Sequence, residues 1–335
     1  MKIADIELGE RPVFLAPMEE VTDVSFRRFC KEFGADMMYT EFISSDGLIR
    51  NAGKSLKKLE IFDYERPIGI QIYGHLKDAM VEAAIIAERA NPDVIDINFG
   101  CPMKKIVRRG AGSGMMNNVP LMVEITDAIV KAVKKPVTVK TRLGYDEENK
   151  NIVDIAERLQ DVGIKAITIH GRTRSQLYTG KADWTLIGAV KNNPRMTIPV
   201  IGNGDIRSGF DAYEAFEKYG VDGIMIGRAT VGCPWIFEEI KHFLKHKSPL
   251  PPKNVAEVST LVKKHLLLSV ELKGERGGIL EMRRHFAHYY RGLPNFRETR
   301  IKLLTSLNVD EILQIIDSID ERYGELFMPP VDEKH

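Results

Sequence analysis

Cysteine is scarce in this sequence. The 335 residues include three, Cys30, Cys101 and Cys233, which lie far apart and form no C-x-x-C pair. An odd number of widely spaced cysteines disfavours both a disulfide framework and a zinc site, because each needs cysteines that pair or cluster. We therefore predict a protein of the reducing cytoplasm with no metal site.

Long apolar runs and an excess of either charge are also missing. No stretch approaches the roughly 18 consecutive apolar residues of a membrane-spanning helix, and the first residues lack the apolar core of a signal peptide. With 48 basic and 47 acidic residues, the formal net charge is +1, so any attraction to nucleic acid has to come from a local basic surface. We expect a monomer without membrane contact.

Eight short apolar runs alternate with helical patterns from residue 12 to about residue 246. The predicted strands are 12–17, 37–40, 68–74, 94–98, 136–142, 166–171, 199–205 and 222–228. Alternation of this kind over about 250 residues predicts an α/β fold, the parallel (β/α)8 TIM barrel. The alternative, a doubly wound open sheet, needs a G-x-G-x-x-G turn after the first strand, and residues 16–20 do not supply it.

A proline-rich segment divides the chain. Ser248-Pro249-Leu250-Pro251-Pro252 resists both helix and sheet, because proline fixes φ and lacks an amide hydrogen. We predict a barrel catalytic domain at 1–247 and an all-helical C-terminal domain at 253–335. Apolar residues at helical spacing predict helices at 255–272, 279–291 and 310–323.

Polar side chains stand at the ends of the predicted strands. In a TIM barrel the carboxyl ends of the strands converge on the face that carries the active site. Gln71 alone fits a satisfied core amide, and His170 alone fits a structural histidine. Lys140, however, ends an otherwise apolar strand, where an unpaired ammonium is costly to bury, so it favours a functional role. The strand-end residues are Met18, Gln71, Asn98, Lys140, Arg142, His170, Asn203, Gly227 and Arg228.

Two glycine turns follow the last two strands. Asn203-Gly204-Asp205 and Gly227-Arg228 occur where many TIM barrels bind phosphate with backbone N–H groups. Ordinary turn glycines are the alternative. Because the glycines follow the two strands where a phosphate site is expected, we favour an anion site, and Arg228 would supply positive charge.

Cys101 has three interpretations: an inert buried thiol, a thiolate nucleophile, or a neutral proton donor. Its unperturbed pKa of about 8.5 would leave it mostly protonated at neutral pH. Gly100 and Pro102 place Cys101 at the start of a loop, which argues against the inert thiol.

The combination of these motifs resembles the tRNA-dihydrouridine synthases, and it is most similar to their bacterial B-type branch. The matching segments are Asn98-Phe99-Gly100-Cys101-Pro102 with Lys105 and Ala111-Gly112-Ser113, Ala16-Pro17-Met18 with Thr22-Asp23, 140–144, 168–174, Asn203-Gly204-Asp205, and 225–229 with Pro234-Trp235. The resemblance spans essentially the whole chain. Phe99 and Gly114 depart from the family pattern, which affects how the loop packs and leaves the chemistry intact.

The resemblance implies an enzyme that uses FMN and NADPH to reduce uridines in tRNA to 5,6-dihydrouridine. Hydride passes from flavin N5 to uracil C6, and Cys101 donates a proton to C5. The implied FMN-binding residues are Ala16, Pro17, Met18, Gln71, Lys140, His170, Asn203, Gly204, Asp205, Gly227 and Arg228. Asn98, Arg142 and Tyr178 are the implied uracil contacts.

The predicted helical domain carries a local excess of basic residues. Between 273 and 302 it has eight lysines and arginines, Arg284 and Arg291 among them, against three glutamates. A solvated helix face is the alternative, but the interleaved aromatic residues favour phosphate contacts on a folded RNA. Arg172 and Arg174 would extend this surface across the barrel mouth, so we predict tRNA as the partner.

Two rival functions remain open from the sequence. One is an FMN barrel oxidoreductase that acts on a free pyrimidine or enone, which would not need the basic domain. The other is an RNA-binding or chaperone protein on an inactive barrel, which would not need Lys140 or the phosphate-site glycines. The motifs leave open which uridine is reduced, whether ribosomal RNA is a target, and whether NADPH or NADH is preferred.

Overall fold

Parallel strands form a barrel in the computed structural model, which describes residues 1–329. An antiparallel hairpin precedes it. The strands are β1 Lys2–Ile3, β2 Ile6–Glu7, β3 Val13–Leu15, β4 Met38–Tyr39, β5 Ile43–Ser44, β6 Ile68–Tyr73, β7 Val94–Asn98, β8 Val137–Arg142, β9 Ala166–His170, β10 Val200–Asn203 and β11 Gly223–Ile226. The predicted TIM barrel is confirmed, and each of the eight predicted runs contains one strand.

The strands are ordered β3-β11-β10-β9-β8-β7-β6-β4. The short strand β5 also pairs with β6, nearer the carboxyl end of β6 than β4 does. A parallel bridge between Phe14 and Met37 joins the two ends of this order. There Leu15 N donates to Met37 O at 3.0 Å and Asp36 N donates to Val13 O at 2.9 Å. The barrel is therefore nearly closed, and its strand carboxyl ends surround one mouth.

Helices follow the strands, and the last described helix ends at Tyr323. They are α1 Val24–Glu32, α2 Ser45–Ile49, α3 Gly53–Lys57, α4 Lys77–Arg89, α5 Lys104–Val107, α6 Val119–Ala132, α7 Ile152–Asp161, α8 Thr185–Lys191, α9 Gly209–Tyr219, α10 Ile236–His246, α11 Val255–Tyr289, α12 Arg297–Thr305 and α13 Val309–Tyr323. Gly274 interrupts α11 with φ 74° and ψ 163°, values that glycine adopts readily and other residues do not. The break agrees with the two helices predicted for this region. No helix within residues 1–329 has the length and apolar character needed to cross a membrane.

The β1–β2 hairpin packs against apolar side chains inside the barrel. Ile3 and Leu8 are buried in one cluster with Phe14, Val94 and Met225. The sequence pattern did not indicate this hairpin, because each of its strands has two residues. It covers strand starts, opposite the mouth.

The chain divides into two compact units. The first contains Met1–Glu19, Ala35–Ile206 and Phe210–Gly227, and the second contains Glu20–Gly34, Arg207–Gly209 and Arg228–His335. The predicted helical domain, 253–335, falls within the range of the second unit, although residues 330–335 lie outside the described residues. The second unit also includes α1, which the proline boundary did not suggest.

A cluster of aromatic and histidine rings is buried in the second unit. Phe29 stacks on His265 with ring centroids 4.9 Å apart, and His285 lies 4.5 Å from Phe26 and 4.7 Å from His265. His265 Nδ1 is 2.8 Å from the Tyr289 hydroxyl oxygen. Burial lowers the pKa of His285 to about 4 and that of His265 well below its usual value. Both rings are therefore neutral in the folded protein at neutral pH.

His285→Phe should make the second unit less sensitive to acid. The pKa of His285 is lower in the folded than in the unfolded protein, so its contribution to stability is present above about pH 6.5 and is lost as the pH falls toward 4. At roughly 1.4 kcal/mol per pKa unit, the loss amounts to about 3 kcal/mol. Denaturant unfolding at pH 7 and pH 4 should show a correspondingly smaller pH effect in the variant.

The exposed His246 provides the control, because His246→Phe removes a histidine without touching this cluster. That variant should retain the acid sensitivity of the wild type. An unchanged pH dependence in His285→Phe would contradict the role given to burial.

Candidate active site

Strand register aligns a layer of polar side chains inside the barrel. Gln71 on β6 is opposite Asp96 on β7, and Asp96 is opposite Thr138 on β8. Side chains on a strand alternate between its two faces, so Thr138, Lys140 and Arg142 share one face. One level nearer the mouth, Lys140 is paired in register with Asn98 and Thr168. At the next level, His170 is paired with Arg142 and Asn203. Predicted residues from five strands thus meet.

Lys140 is a half-buried cation in this layer. Its Nζ donates to Asn203 Oδ1 at 3.2 Å, and Asn203 Nδ2 donates to Met225 O at 2.8 Å. Burial, together with the charge of Arg142, lowers the pKa of Lys140 to about 8, although Asp96 opposes this shift. The ammonium therefore remains protonated at neutral pH and faces a neutral amide, an arrangement that would be stabilised by a bound anion.

Cys101 begins the loop after β7 and is 7% exposed. Asn98 Oδ1 accepts hydrogen bonds from Gly100 N and Cys101 N, each at 2.9 Å. Ser113 donates to Cys101 O through both its backbone N (3.0 Å) and its Oγ (2.8 Å). Burial raises the pKa of the thiol, while Arg142 and Lys140 lower it by a smaller amount. The thiol is therefore protonated at neutral pH.

Arg142 ties two loops together. Its Nε donates to Gly100 O at 2.8 Å, and its NH1 donates to Thr173 O at 2.9 Å and Leu177 O at 2.7 Å. Tyr178 is 52% exposed, and its ring centroid lies 5.5 Å from the Arg142 guanidinium carbon. The predicted uracil contacts Asn98, Arg142 and Tyr178 are thus close together. The first two hydrogen-bond to the backbone of the loop between β7 and α5, residues 99–103, which we call the cysteine loop.

Arg172 follows β9 and is 1% exposed, so it is buried and does not lie on the surface where the sequence pattern placed it. Its NH2 donates to Asp205 Oδ2 at 2.7 Å and its Nε donates to Thr179 O at 3.1 Å. Its NH1 is 3.3 Å from His170 Nε2. Arg172 therefore holds His170 and Asp205 together. The guanidinium of Arg174 lies 5.0 Å from the ring centroid of Tyr145, and Arg174 is partly buried.

The predicted glycine turns differ in backbone strain. Gly204 has φ +125°, and a Cβ there would lie 2.8 Å from Ala182 Cβ and 3.0 Å from His170 Cδ2, so only glycine fits. A Cβ on Gly227 would lie 3.5 Å from both Ala16 Cβ and Met18 Sδ. This brings three of the predicted cofactor residues together. Pro17 is partly buried between Ala16 and Met18, and Arg228 opens a 3-10 turn, Arg228–Thr230, in the second unit.

A groove of about 250 Å³ opens beside the cysteine loop. Its lining includes Phe42, Tyr73, Met103, Lys105 and Arg109. Cys101 is buried against Phe42 in the same small cluster, and Tyr73 packs on that cluster. The groove is smaller than the roughly 300–1,000 Å³ of pockets for drug-sized ligands, which is a size suited to one base rather than a dinucleotide.

The basic residues of the second unit fall into two groups. Lys273 pairs with Asp23, and Arg284 pairs with Glu20. Arg291 is partly buried beside His288. Arg276, Arg297, Arg300 and Lys302 are exposed. Arg284 is exposed as well, but Glu20 compensates its charge, so the other four offer most of the accessible positive charge.

Asp96 and Thr138 belong to the polar layer but were not among the predicted site residues. Both are nearly fully buried, at 1% and 2% exposure. Each stands two positions before a predicted residue, Asn98 or Lys140, and therefore on the same strand face. A polar residue at this spacing within an apolar strand was the signal that could have found them. Among residues 1–329 no group of three or more potential metal ligands occurs.

The fold and this site together define a TIM-barrel enzyme with its reactive groups at the carboxyl ends of the strands. The chain is similar in structure to a 2-naphthoyl-CoA reductase complex, with a TM-score of 0.56 and 12% identity over 73% of this chain and 51% of that one. It is also similar to a morphinone reductase mutant, with a TM-score of 0.55 and 11% identity over 76% and 91%. At these identities the likeness supports the fold alone.

Sequence comparisons identify the family. The model described as dihydrouridine synthase matches residues 14–319, and the chain belongs to this family of oxidoreductases. It is 41% identical over 301 residues, 90% of each chain, to a probable tRNA-dihydrouridine synthase of Rickettsia conorii. It is also 41% identical over 288 residues, 86% of each chain, to tRNA-dihydrouridine synthase B of Pseudomonas aeruginosa. The predicted family is confirmed.

Proposed function

We propose that this enzyme reduces particular uridines of tRNA to 5,6-dihydrouridine, with FMN as its cofactor and NADPH as reductant. The observation that carries the proposal is the protonated Cys101 thiol near the half-buried Lys140 and the buried Arg142 in a member of the dihydrouridine synthase family. Bound flavin would accept hydride from NADPH and deliver it from N5 to uracil C6.

The donor set fits a flavin. Lys140 supplies a positive charge inside the barrel that suits the N1–O2 edge, which becomes negative on reduction. The turn at Gly204 has a positive φ that favours glycine, and Gly227 leaves ordinary contact space beside Ala16 and Met18. We propose that these residues, together with Gln71, His170 and Asn203, hold FMN, and that Arg172 and Asp205 support His170. Arg228 remains our proposal for phosphate charge.

Cys101 acts in this proposal as a general acid. Burial raises the pKa of the thiol, which supports a proton held on Sγ until the base is bound and argues against a resting thiolate nucleophile. Proton transfer to C5 leaves a thiolate, and the positive charges of Lys140 and Arg142 favour that product. The two opposing influences therefore act at different stages: burial holds the proton, and the cations assist its departure.

The groove beside Cys101 is the proposed entry for the target base. A uridine has to leave its stack before its C5–C6 bond can reach a reactive group inside a barrel. Phe42 and Tyr73 offer apolar surface to the base, and Lys105 with Arg109 offers charge to its phosphates. The size of the groove suits an extruded single nucleotide.

The direct test is to supply purified enzyme with FMN and NADPH and compare a tRNA transcript, free uridine and a simple enone as substrates. We expect dihydrouridine in the tRNA at defined positions and negligible turnover of the other two. Comparable reduction of free uridine or the enone would favour the rival small-molecule oxidoreductase. A protein that takes up no FMN and reduces none of them would overturn the proposal.

Exposed basic residues of α12 are the proposed tRNA contacts of the second unit. Combined alanine substitution of Arg297, Arg300 and Lys302 should weaken tRNA binding. The slope of log affinity against log salt concentration should become shallower by roughly 0.7–0.9 for each phosphate contact removed. Reduction of the flavin by NADPH should be unchanged. Titrations of tRNA binding at several salt concentrations from about 50 to about 300 mM measure this slope.

The matched control replaces Lys131, Arg195 and Lys218, which are exposed in the first unit. Lys131 and Lys218 lie in the last turns of α6 and α9, and Arg195 follows α8. All three therefore lie toward the strand starts, so their removal changes net charge equally while sparing the mouth. Equal loss of tRNA affinity in the two triple variants would show that net charge, and not α12, governs binding.

A further inference from the structure

A continuous chain of hydrogen bonds connects the barrel interior to the backbone of Cys101. Thr138 Oγ1 donates to Asp96 Oδ1 and Gln71 Nε2 donates to Asp96 Oδ2, both at 2.6 Å. Asn98 Nδ2 donates to Gln71 Oε1 at 2.9 Å, and Asn98 Oδ1 accepts from Cys101 N at 2.9 Å. The side chains between the two ends are buried, with exposures of 5% or less.

The two ends of this chain impose the same direction on it. A carboxylate only accepts hydrogen bonds, so Asp96 requires Gln71 to present its Nε2 and leaves Oε1 toward Asn98. A backbone N–H only donates, so Cys101 requires Asn98 to present its Oδ1. Reversing either amide would place two donors or two acceptors face to face, which costs about 1–3 kcal/mol for each buried group left unsatisfied.

We propose that Asp96 is a positioning residue for Cys101. Its carboxylate fixes the orientation of the Gln71 and Asn98 amides and thereby holds the backbone from which the thiol projects. This inference rests on the proposed function, in which Cys101 donates the proton to uracil. Asp96 itself touches neither the thiol nor, in this proposal, the base.

The surroundings of Asp96 suit a permanent acceptor. Burial raises the pKa of Asp96 to about 6, and its bonds from Gln71 and Thr138 and the charge of Lys140 oppose that shift. At pH 7.5 the carboxylate is therefore mostly ionised, and both oxygens accept. Thr138 has a rotatable hydroxyl that can donate or accept, so it adapts to whatever group stands at position 96.

Four variants separate this role from a general structural one. Asp96→Ala removes the acceptor. In Asp96→Asn the amide oxygen can still accept from Gln71 while its NH2 donates to Thr138, whose hydroxyl rotates to accept. Thr138→Val leaves the carboxylate in place. The double variant Asp96→Asn with Thr138→Val removes the partner on which the rescue depends.

The main measurement is the rate at which pre-reduced, flavin-saturated enzyme is oxidised by tRNA in a single turnover. We expect Asp96→Ala to lower this rate about 100-fold, the effect of a misplacement of about 1 Å at a reacting group. Asp96→Asn and Thr138→Val should each stay within about threefold of the wild type, and the double variant should lose at least tenfold, on the scale of unsatisfied buried groups. Flavin reduction by NADPH also senses Asp96, through Gln71 and Lys140, and should fall less than tRNA-dependent flavin oxidation in Asp96→Ala and in the double variant.

An independent measurement needs neither flavin nor tRNA. Alkylation of Cys101 by iodoacetamide, followed by peptide mass spectrometry, should be about tenfold faster in Asp96→Ala and in the double variant, since the loop is less constrained. Cys30 and Cys233, at 0% and 9% exposure, report any general loosening in the same sample. Thermal unfolding of each variant verifies the fold.

Three results would overturn the inference. They are flavin oxidation at the wild-type rate in Asp96→Ala, a loss in Asp96→Asn as severe as that in Asp96→Ala, and unchanged Cys101 alkylation in both impaired variants. The second result would assign the effect to charge instead of hydrogen-bond direction. If wild-type enzyme fails to reduce tRNA, the proposed function fails, whereas the alkylation experiment still decides whether Asp96 holds the cysteine loop. If Asp96→Ala does not fold, comparison of the double variant with Asp96→Asn and Thr138→Val decides whether Asp96 positions Cys101.

Discussion

Replacing Cys101 with alanine is expected to slow dihydrouridine formation by about 10²- to 10⁴-fold, the usual contribution of a general acid. The hydride step requires a proton at C5 to complete reduction of the double bond, and alanine has none to give. Reduction of the flavin by NADPH should continue at the wild-type rate, because that step uses no proton from the thiol. Separate assays of NADPH oxidation and of tRNA-dependent flavin oxidation show which of the two half-reactions the substitution slows.

Cys233→Ala is the matched control, since Cys233 is a buried thiol in the second unit. It should retain both half-reactions. Cys101→Ser tests acidity more finely: serine keeps a hydroxyl at the same place but is a much weaker acid, so it should resemble alanine. A Cys101→Ala enzyme that modifies tRNA at the wild-type rate would refute the proton-donor assignment.

Lys140→Met should impair the other half-reaction. A unit positive charge about 4 Å from the negative edge of a reduced flavin is worth about 4 kcal/mol at an effective dielectric of 20, before desolvation is subtracted. Losing most of that stabilisation should slow flavin reduction by about 10²- to 10³-fold, at roughly 1.4 kcal/mol per tenfold. Stopped-flow absorbance of the flavin after mixing with NADPH measures this rate.

The pH dependence gives the Lys140 prediction a second readout. The pKa of Lys140 is lowered to about 8, so the ammonium is present below that pH and is lost as the pH rises through it. Wild-type flavin reduction should therefore fall above about pH 8, and Lys140→Met should lack this decline. Lys165→Met, an exposed lysine just before β9, is the control. A decline that persists unchanged in Lys140→Met would assign it to another group.

Much of the barrel could be predicted because its information is local. A buried parallel strand is a short apolar run, and the β/α alternation repeats it with little variation. The strand-end polar residues could be predicted for the same reason, since barrel topology alone brings Lys140, Asn203 and His170 to one face. The hairpin at Lys2–Glu7 and the strand Ile43–Ser44 were missed because two-residue strands carry no periodic signal.

Side-chain partners could not be predicted, because they depend on contacts between distant segments. Arg172 resembled an accessible basic residue, yet Asp205 and two loop carbonyls hold it in the interior. Arg142 satisfies carbonyl groups of two loops that lie far apart in the sequence. The orientation of the Asn98 amide depends on Asp96, whose partners Gln71 and Thr138 are 25 and 42 residues away.

The membership of α1 in the second unit has a consequence for biosynthesis. Phe26 and Phe29 leave the ribosome more than 200 residues before the rings of His265 and His285 that cover them. The second unit therefore cannot finish folding until almost the whole chain has been made, and its early apolar segment waits for its partners during translation. For the same reason the C-terminal region is not a module that gene fusion could transfer alone: a graft starting at residue 228 would leave α1 behind.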